Sequence, residues 1–274
     1  MIAIDLAGRS VVVTGGTRGL GKAAGMEFAR AGATVFLTHR WGSVAEEELL
    51  AEFAGAGLPR PHVVESDASD AKAARELMGL VKERAGGLDV VVSNVAFAKI
   101  VNDLSDLKKG SLDLSLGYSA WPVVEYVQAA RETLGRFPRY VLGISSDGAD
   151  VCHPGYDIAG ASKAVLETLV RYLALRLRPE GVRVNAVRPG LLDTQSSRAT
   201  AGDAAMDAVK RRAPGAVQDP RGVARACVAL CSGLLDSVTG QVLVVDEGWS
   251  LVDPLLFLTG AALPAPFPAE ESGD

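Results

Sequence analysis

The sequence predicts an α/β fold: one doubly wound parallel sheet of about seven strands, flanked by helices. Three observations predict it. Short apolar runs rich in β-branched residues alternate with longer stretches of helical periodicity. Most of the runs are continuously apolar, as strands buried on both faces of a parallel sheet are. The first run also passes straight through a glycine-rich turn into a helical stretch, which is how a βαβ unit opens.

The strands are expected at Val11–Thr14, Thr34–Thr38, His62–Glu65, Val90–Ser93, Tyr140–Ile144, Val182–Val187 and Gln241–Val245. Between them, Leu20–Ala31, Ser43–Ala56 and Ala71–Arg84 read as helices. Ser43, with Glu46 three residues on, forms a capping-box pattern. A length of 274 residues is above the usual domain size, yet one α/β domain accommodates it. No break or short repeat interrupts the pattern. Residues 1–252 therefore read as a single nucleotide-binding domain, and 253–274 as a C-terminal extension. Its end, Ala261–Asp274, carries Pro264, Pro266 and Pro268 and finishes acidic, the composition of a flexible tail.

Composition excludes several function classes. Hydrophobic residues make up 48% of the chain, enough for a large core, and the formal net charge is −5. That balance argues against a nucleic-acid surface, which needs a basic patch. No apolar run reaches the roughly 18–20 residues of a membrane span, and Met1–Ser10 has no signal-peptide pattern. A cytoplasmic protein is the expectation. Cys152, Cys227 and Cys231 are too few for a disulfide framework. Cys227 and Cys231 lie four apart in a helical stretch without a histidine pair, so they read as buried apolar residues and no metal site is expected.

The turn after the first strand reads Thr14-Gly15-Gly16-Thr17-Arg18-Gly19-Leu20-Gly21. Gly15, Gly19 and Gly21 allow a tight turn and close backbone approach to a pyrophosphate, and the helix N-terminus offers it unpaired N–H groups. Thr17, Arg18 and Leu20 complete the candidate cradle. An NAD site places an acid at the end of the second strand for the ribose 2′-hydroxyl. Here that strand ends Thr38-His39-Arg40-Trp41, with no acid. Arg40 and Arg18, beside His39, suit a 2′-phosphate, so NADPH is the expected cofactor. Asp67-Ala68, after the third strand, is placed to contact the adenine.

Together these motifs resemble the short-chain dehydrogenase/reductase family from about Gly8 to Val252, which implies a Rossmann-like fold. The glycine loop is similar to the family's TGxxxGxG, and Ser93-Asn94-Val95-Ala96 to its NNAG-like turn after the fourth strand. Asn185-Ala186-Val187-Arg188-Pro189-Gly190, followed by Thr194, resembles the segment that closes over the nicotinamide. The resemblance implies that Asn94, Val95, Ala96, Pro189, Gly190 and Thr194 line the cofactor. It also implies a homotetramer.

The catalytic segment departs from the family's usual Tyr-x-x-x-Lys. Lys163 fits the lysine, but Ala159 stands four residues before it, and the nearest tyrosine is Tyr156, seven before. Tyr-x6-Lys resembles the enoyl-acyl-carrier-protein reductase branch, the FabL and FabI types. Asn94-Val95-Ala96-Phe97-Ala98 is similar to that branch's SIAFA-like segment. Ser119 of Tyr118-Ser119 stands where other members carry a catalytic Asn and enoyl reductases can carry Ser. Ser146 stands where the FabI type has a second tyrosine and the FabL type has Ser. The resemblance thus implies reduction of the C=C bond of an acyl substrate, small or carrier-bound, of the kind used in fatty acid biosynthesis or in specialised metabolism.

Residues four apart share a helix face, so a tyrosine at 159 would sit beside Lys163. Pro154-Gly155 starts the helix near Tyr156, two turns from the lysine, so its phenol addresses a different point of the substrate. Hydride delivered to the β-carbon of an enoyl thioester puts charge on the carbonyl oxygen, and a preorganised phenol O–H stabilises it. Lys163 is expected to bind the nicotinamide ribose and to make Tyr156 more acidic. Ser146 either bonds substrate or caps the strand, and His153 is the nearby titrating group. Asp193–Ala216, polar and rich in small residues, reads as a mobile cover over the substrate. Two competing readings stand beside the enoyl reductase: a ketoreductase with a displaced acid, and a non-catalytic NADP-binding sensor.

Overall fold

The computed structural model describes residues 3–40 and 45–259. Seven parallel strands form one sheet: β1 Ser10–Val13, β2 Thr34–His39, β3 His62–Glu65, β4 Val90–Ser93, β5 Tyr140–Ile144, β6 Arg183–Pro189 and, after two short strands, β9 Val242–Val245. Their order is β3-β2-β1-β4-β5-β6-β9. The order reverses between β1 and β4, whose registers place Val12 beside Val91. The crevice at such a reversal, beyond the carboxyl ends of the strands, is where ligands bind in this architecture.

The helices are α1 Gly19–Arg30, α2 Glu46–Gly55, α3 Ala71–Ala85, α4 Lys109–Ser119, α5 Pro122–Leu134, α6 Asp157–Arg176, α7 Gln195–Ala201, α8 Asp203–Arg212, α9 Pro220–Leu230 and α10 Pro254–Thr259. Alternation along the strands divides them into two cores. Val11, Val13, Val35 and Leu37 join α1, α2 and α9 on one face through Phe28, Leu49, Phe53 and Val223. Val12, Phe36, Val91 and Val141 join α3, α5 and α6 on the other through Met78, Tyr126, Leu166 and Val170. Both faces are therefore buried, as the continuous apolar runs predict. Cys227 and Cys231 are buried and unpaired, and burial pushes the Cys227 thiol up to about 12. They are inert core residues.

Strand and helix positions match the sequence expectation to within two residues, with two exceptions. α2 begins at Glu46 with Ala45 at its N-cap and no side-chain cap, so Glu46 is the first helical residue and not the third position that a capping box needs. Ser43 and Trp41 lie outside the described residues, as does the expected tail from residue 260 onward. The second exception is a two-stranded parallel sheet absent from the sequence reading, β7 Leu191–Leu192 against β8 Val217–Gln218. It clips together the base of the 193–216 segment, which is built of α7 and α8 and buries Met206.

Candidate active site

The loops after β1 and β4 meet at the topological reversal. Thr14 Oγ1 accepts from the backbone N–H groups of Asn94 (2.8 Å) and Val95 (3.1 Å). Asn94 Nδ2 donates back to the carbonyls of Thr14 (2.9 Å) and Gly15 (3.2 Å). The phosphate loop is thus held by the strand beside it. Gly15 has φ +62°, a left-handed conformation that favours glycine. A Cβ at Gly21 would lie 2.2 Å from the Gly15 carbonyl oxygen, so α1 meets the loop as closely as backbone allows. The N-cap of α1 is Arg18, whose side chain makes no capping bond. The first N–H groups of α1 therefore have no side-chain partner there.

Across this loop lies the segment after β6. Gly190 N donates to the Val245 carbonyl (3.2 Å), and a Cβ on Gly190 would lie 2.9 Å from that of Asp246. Thr194 caps α7, and its methyl group faces Gly19. Arg18 reaches over to Gln195 Oε1 (3.1 Å), so loop and cover touch.

At the adenosine end, Arg40 pairs with Asp67 and donates to the Tyr118 hydroxyl (2.8 Å), which lies 3.3 Å from Asp67 Oδ2. Asp67 Oδ1 accepts from Ser69 N (3.0 Å) and Oγ (2.8 Å). Arg40 and Asp67, expected to take separate parts of the cofactor, thus face each other directly. Tyr118 joins them, a role the sequence reading missed because it treated Tyr118 only as the neighbour of Ser119. His39 Nδ1 is buried without a hydrogen-bond partner, and Ala68 is buried.

Ser119 is tied to the loop after β4. Its hydroxyl accepts the Phe97 N–H (2.9 Å) and is fully buried at the end of α4. The helical path breaks there, with Ala120 outside both helices and Pro122 starting α5. Ser119 therefore anchors the Asn94–Phe97 segment to α4.

The catalytic candidates converge at the end of β5. Tyr156 is the N-cap of α6, so it sits at the helix entrance as the Pro-Gly pair predicts. It is half-buried. Its ring lies over Gly148, where a Cβ would come within 2.5 Å of the ring carbons. Ser146 caps the short 3-10 turn after β5, accepting from Gly148 N (3.2 Å) and donating to Asp147 Oδ1 (3.1 Å). It therefore caps the turn and not the strand, and its hydroxyl lies close enough to the Tyr156 phenol to act on the phenol's acidity. His153 stands edge-on to the Tyr156 ring, with Nε2 3.0 Å from Asp147 Oδ2.

The phenol is less acidic than an ordinary tyrosine, contrary to the sequence expectation. Burial pushes it up, the Ser146 hydrogen bond works against this, and the Asp147 charge adds to it. Lys163 does not act on Tyr156 as expected because it sits two turns further along α6. There it is 4% exposed and donates to the Ile144 carbonyl (2.6 Å). Burial pushes Lys163 down to about 8, and the Glu167 carboxylate partly offsets this. At neutral pH the pair is thus a neutral phenol and an ammonium. The position between them, Ala159, is 3% exposed.

Backbone contact fixes this arrangement. A Cβ on Gly160 would lie 2.4 Å from the Gly148 carbonyl oxygen. Gly160→Ala should push the turn carrying Ser146 away from α6, at about 1–3 kcal/mol for an overpacked contact. Urea unfolding should read that loss. NADPH titration should show a smaller effect than turnover, because the phosphate loop is remote from this contact.

The model of a family described as "Enoyl-(Acyl carrier protein) reductase" matches residues 15–250. The chain belongs to the short-chain dehydrogenase/reductase family. It is an oxidoreductase of that family. A 1-cyclohexenylcarbonyl-CoA reductase of Streptomyces collinus is 32% identical, over 93% of this chain and 92% of that protein. A 3-oxoacyl-[acyl-carrier-protein] reductase of Aquifex aeolicus is also 32% identical, over 89% and 98%. Among solved structures, a short-chain dehydrogenase of Burkholderia cenocepacia in complex with NADP aligns with TM-score 0.75 and 31% identity, covering 88% of this chain and 97% of that one.

Short-chain dehydrogenase/reductases use NAD(P), and the residues here fit it. The uncapped α1 N-terminus, the glycine cradle that Cβ atoms would fill and the orphaned His39 nitrogen all lie at the carboxyl ends of the adjacent strands β1 and β2. Among the described residues, no group of three or more His, Cys, Asp or Glu side chains is placed to hold a metal. No described helix is long and apolar enough to cross a membrane.

Proposed function

We propose that the protein is an NADPH-dependent reductase of the C=C bond of an enoyl thioester. The observation that carries this reading is the placement of the acid. The position one turn before Lys163 holds the buried methyl group of Ala159, while the only phenol of the segment sits at the α6 entrance on Ser146. A phenol raised above its ordinary acidity range keeps its proton at neutral pH, so it serves as a hydrogen-bond donor. That suits an enolate oxyanion forming on a thioester carbonyl.

When bound, the nicotinamide supplies the hydride. Lys163, as an ammonium, holds the ribose hydroxyls. Tyr156 donates to the thioester oxygen, and Ser146 orients the phenol. Gly15, Thr17, Arg18, Gly19, Leu20 and Gly21 take the pyrophosphate, and Asn94, Val95, Ala96, Pro189, Gly190 and Thr194 line the rest of the cofactor. The Streptomyces relative, whose name is that of an enoyl-CoA reductase, supports this reading. The test is to follow NADPH absorbance with crotonyl- and acetoacetyl-thioesters side by side. Reduction of the first only is expected.

The second reading is a ketoreductase. The His153–Asp147 pair beside Tyr156 favours it, because it offers an alternative proton source at the same cleft. Preferential reduction of the acetoacetyl thioester would select it.

NADPH is expected to bind at least about tenfold more tightly than NADH, or roughly 1.4 kcal/mol. The 2′-phosphate must share Arg40 with Asp67, which limits the gap. Arg40→Ala should remove most of it, since a charge-assisted bond to phosphate is lost. Fluorescence titration with both nucleotides checks this, and equal wild-type affinities would point to NAD.

A homotetramer is expected. α6 carries more apolar surface than its core face uses: Val165, Tyr172 and Leu175 are exposed, as are Leu114 and Trp121 on or beside neighbouring α4. Light scattering at micromolar protein should give about four times the chain mass, and a monomer mass would rule the assembly out.

A further inference from the structure

One charged pair behind the site is not used by the chemistry above. Glu167 lies four residues after Lys163 on α6, on the same helix face. Its side chain is 3% exposed. Arg188, next to Pro189 in β6, grips both of its oxygens: Nη2 donates to Oε1 and Oε2 at 2.8 Å each, and Nε to Oε1 at 3.1 Å. Ser145 Oγ donates to the same carboxylate at 2.6 Å. The remaining Arg188 nitrogen, Nη1, donates to Asp150 (2.5 Å) in the turn after β5. Arg171 stands at 3.7 Å on the exposed side.

These contacts join the three segments that carry the site. Ser145 is flanked by Ile144, whose carbonyl takes the Lys163 ammonium, and by Ser146, which caps the turn under the Tyr156 ring. Its own N–H donates to the Val187 carbonyl (2.8 Å), beside Arg188. A buried ion pair is a poor device for stability alone, because an apolar pair of similar volume serves as well or better. Its presence one helical turn from a buried lysine calls for another role.

We propose that the Glu167–Arg188 pair is a positioning device for Lys163: it locks β5, α6 and β6 together behind the lysine, and its two charges together set the lysine's proton affinity. Glu167 attracts the Lys163 proton, and Arg188 limits that attraction. The charged and titratable groups on the elements packed beside Lys163 are Glu167 and Arg171 on α6, Arg188 on β6, Asp147, Asp150 and His153 on the turn after β5, and the Tyr156 phenol at the α6 entrance; of these, Glu167 acts on it most directly. This inference rests on the reading that Lys163 binds the nicotinamide ribose as an ammonium.

The test is the pH dependence of NADPH affinity, read by fluorescence titration from about pH 6 to 10, which needs no substrate. In the wild type, affinity should fall as Lys163 deprotonates near pH 8. Glu167→Gln keeps the shape but removes the negative charge, so the midpoint should drop by about one pH unit. Arg188→Met leaves the carboxylate uncompensated, so the midpoint should rise. The double variant Glu167→Gln/Arg188→Met removes both charges and should fall between them. If Arg188→Met does not fold, since an unpaired buried charge is strongly destabilising, the other two variants still decide. Coincident midpoints in folded Glu167→Gln, double variant and wild type would overturn the proposal. Lys163→Ala separates the two readings. Loss of the pH-dependent limb in that variant upholds the lysine's role even where the ion-pair proposal fails. An unchanged profile in Lys163→Ala overturns the lysine reading, and the ion-pair proposal with it.

Discussion

Tyr156→Phe should lower turnover of an enoyl thioester by about 10²–10³, the loss of one oxyanion donor, while NADPH affinity stays nearly unchanged. The geometry explains the split. Tyr156 sits at the α6 entrance over Gly148, whereas the phosphate loop and Lys163 are fixed by other contacts. Removing the phenol oxygen leaves the ring packed on Gly148 and frees the Ser146 hydroxyl. Water entering the half-open cleft recovers part of the lost stabilisation, so the lower end of the range is expected if the cover stays open. Ser146→Ala should have a smaller effect in the same direction, because that hydroxyl orients the phenol and caps a turn. Ala159→Tyr should not raise enoyl reduction. The Ala159 side chain is buried, so a phenol there must displace its surroundings before it can stand beside Lys163. Steady-state kinetics with crotonyl- and acetoacetyl-thioesters, alongside NADPH titration, checks all three variants. A silent Tyr156→Phe with the ketone as preferred substrate would move the acid role to His153 or Ser146.

Periodicity and local chemistry made the fold legible. The central apolar runs became the buried strands β1, β2, β4, β5 and β6 because both faces of the sheet are covered there, so no alternation was needed to recognise them, while the edge strands β3 and β9 are only partly buried. The β7–β8 clip escaped notice because two residues per strand carry no periodic signal. The glycine loop was legible because its demands are local: a positive φ at Gly15, a near-contact at Gly21 and a helix start. The position of Tyr156 at the α6 entrance was legible from Pro154-Gly155, and its two-turn separation from Lys163 from helix spacing, while their roles came from the family resemblance. The Arg40–Asp67–Tyr118 cluster was not, because it joins β2, the turn after β3 and α4, and only the fold brings them together. The Glu167–Arg188 pair was hidden for the same reason. Its one sequence signal was a glutamate set among the apolar residues of α6, a position where a charge must find a partner. The weakened acidity of Tyr156 could not be read either, since it depends on burial against Gly148 and on the Asp147 charge.

Lys163→Met should make the cofactor-free protein more stable at pH 7 and weaken its binding of NADPH. The sign follows from the lowered lysine pKa. The unfolded chain holds the Lys163 proton up to about 10.5, the ordinary value, and the folded chain releases it near 8. Below pH 8 both states are charged, and folding bears the full cost of burying an ammonium. Between 8 and 10.5 the folded state binds fewer protons, so wild-type stability rises with pH through that window as the cost is relieved. A difference of that size corresponds to about 3 kcal/mol at pH 7. Methionine has similar length and no charge, so it should recover most of that, less the hydrogen bond to the Ile144 carbonyl. The gain should be largest at pH 7 and should shrink as pH rises past 8. Saturating NADPH should close the gap from the other side, since ligand at 100 times its Kd stabilises the wild type by about 2.7 kcal/mol and a weakly binding variant by far less. Urea unfolding at pH 7 and 9.5, with and without NADPH and at one protein concentration, reads all four quantities. A variant less stable than the wild type at both pH values would show that the lysine contributes more through packing and its carbonyl contact than its buried charge costs.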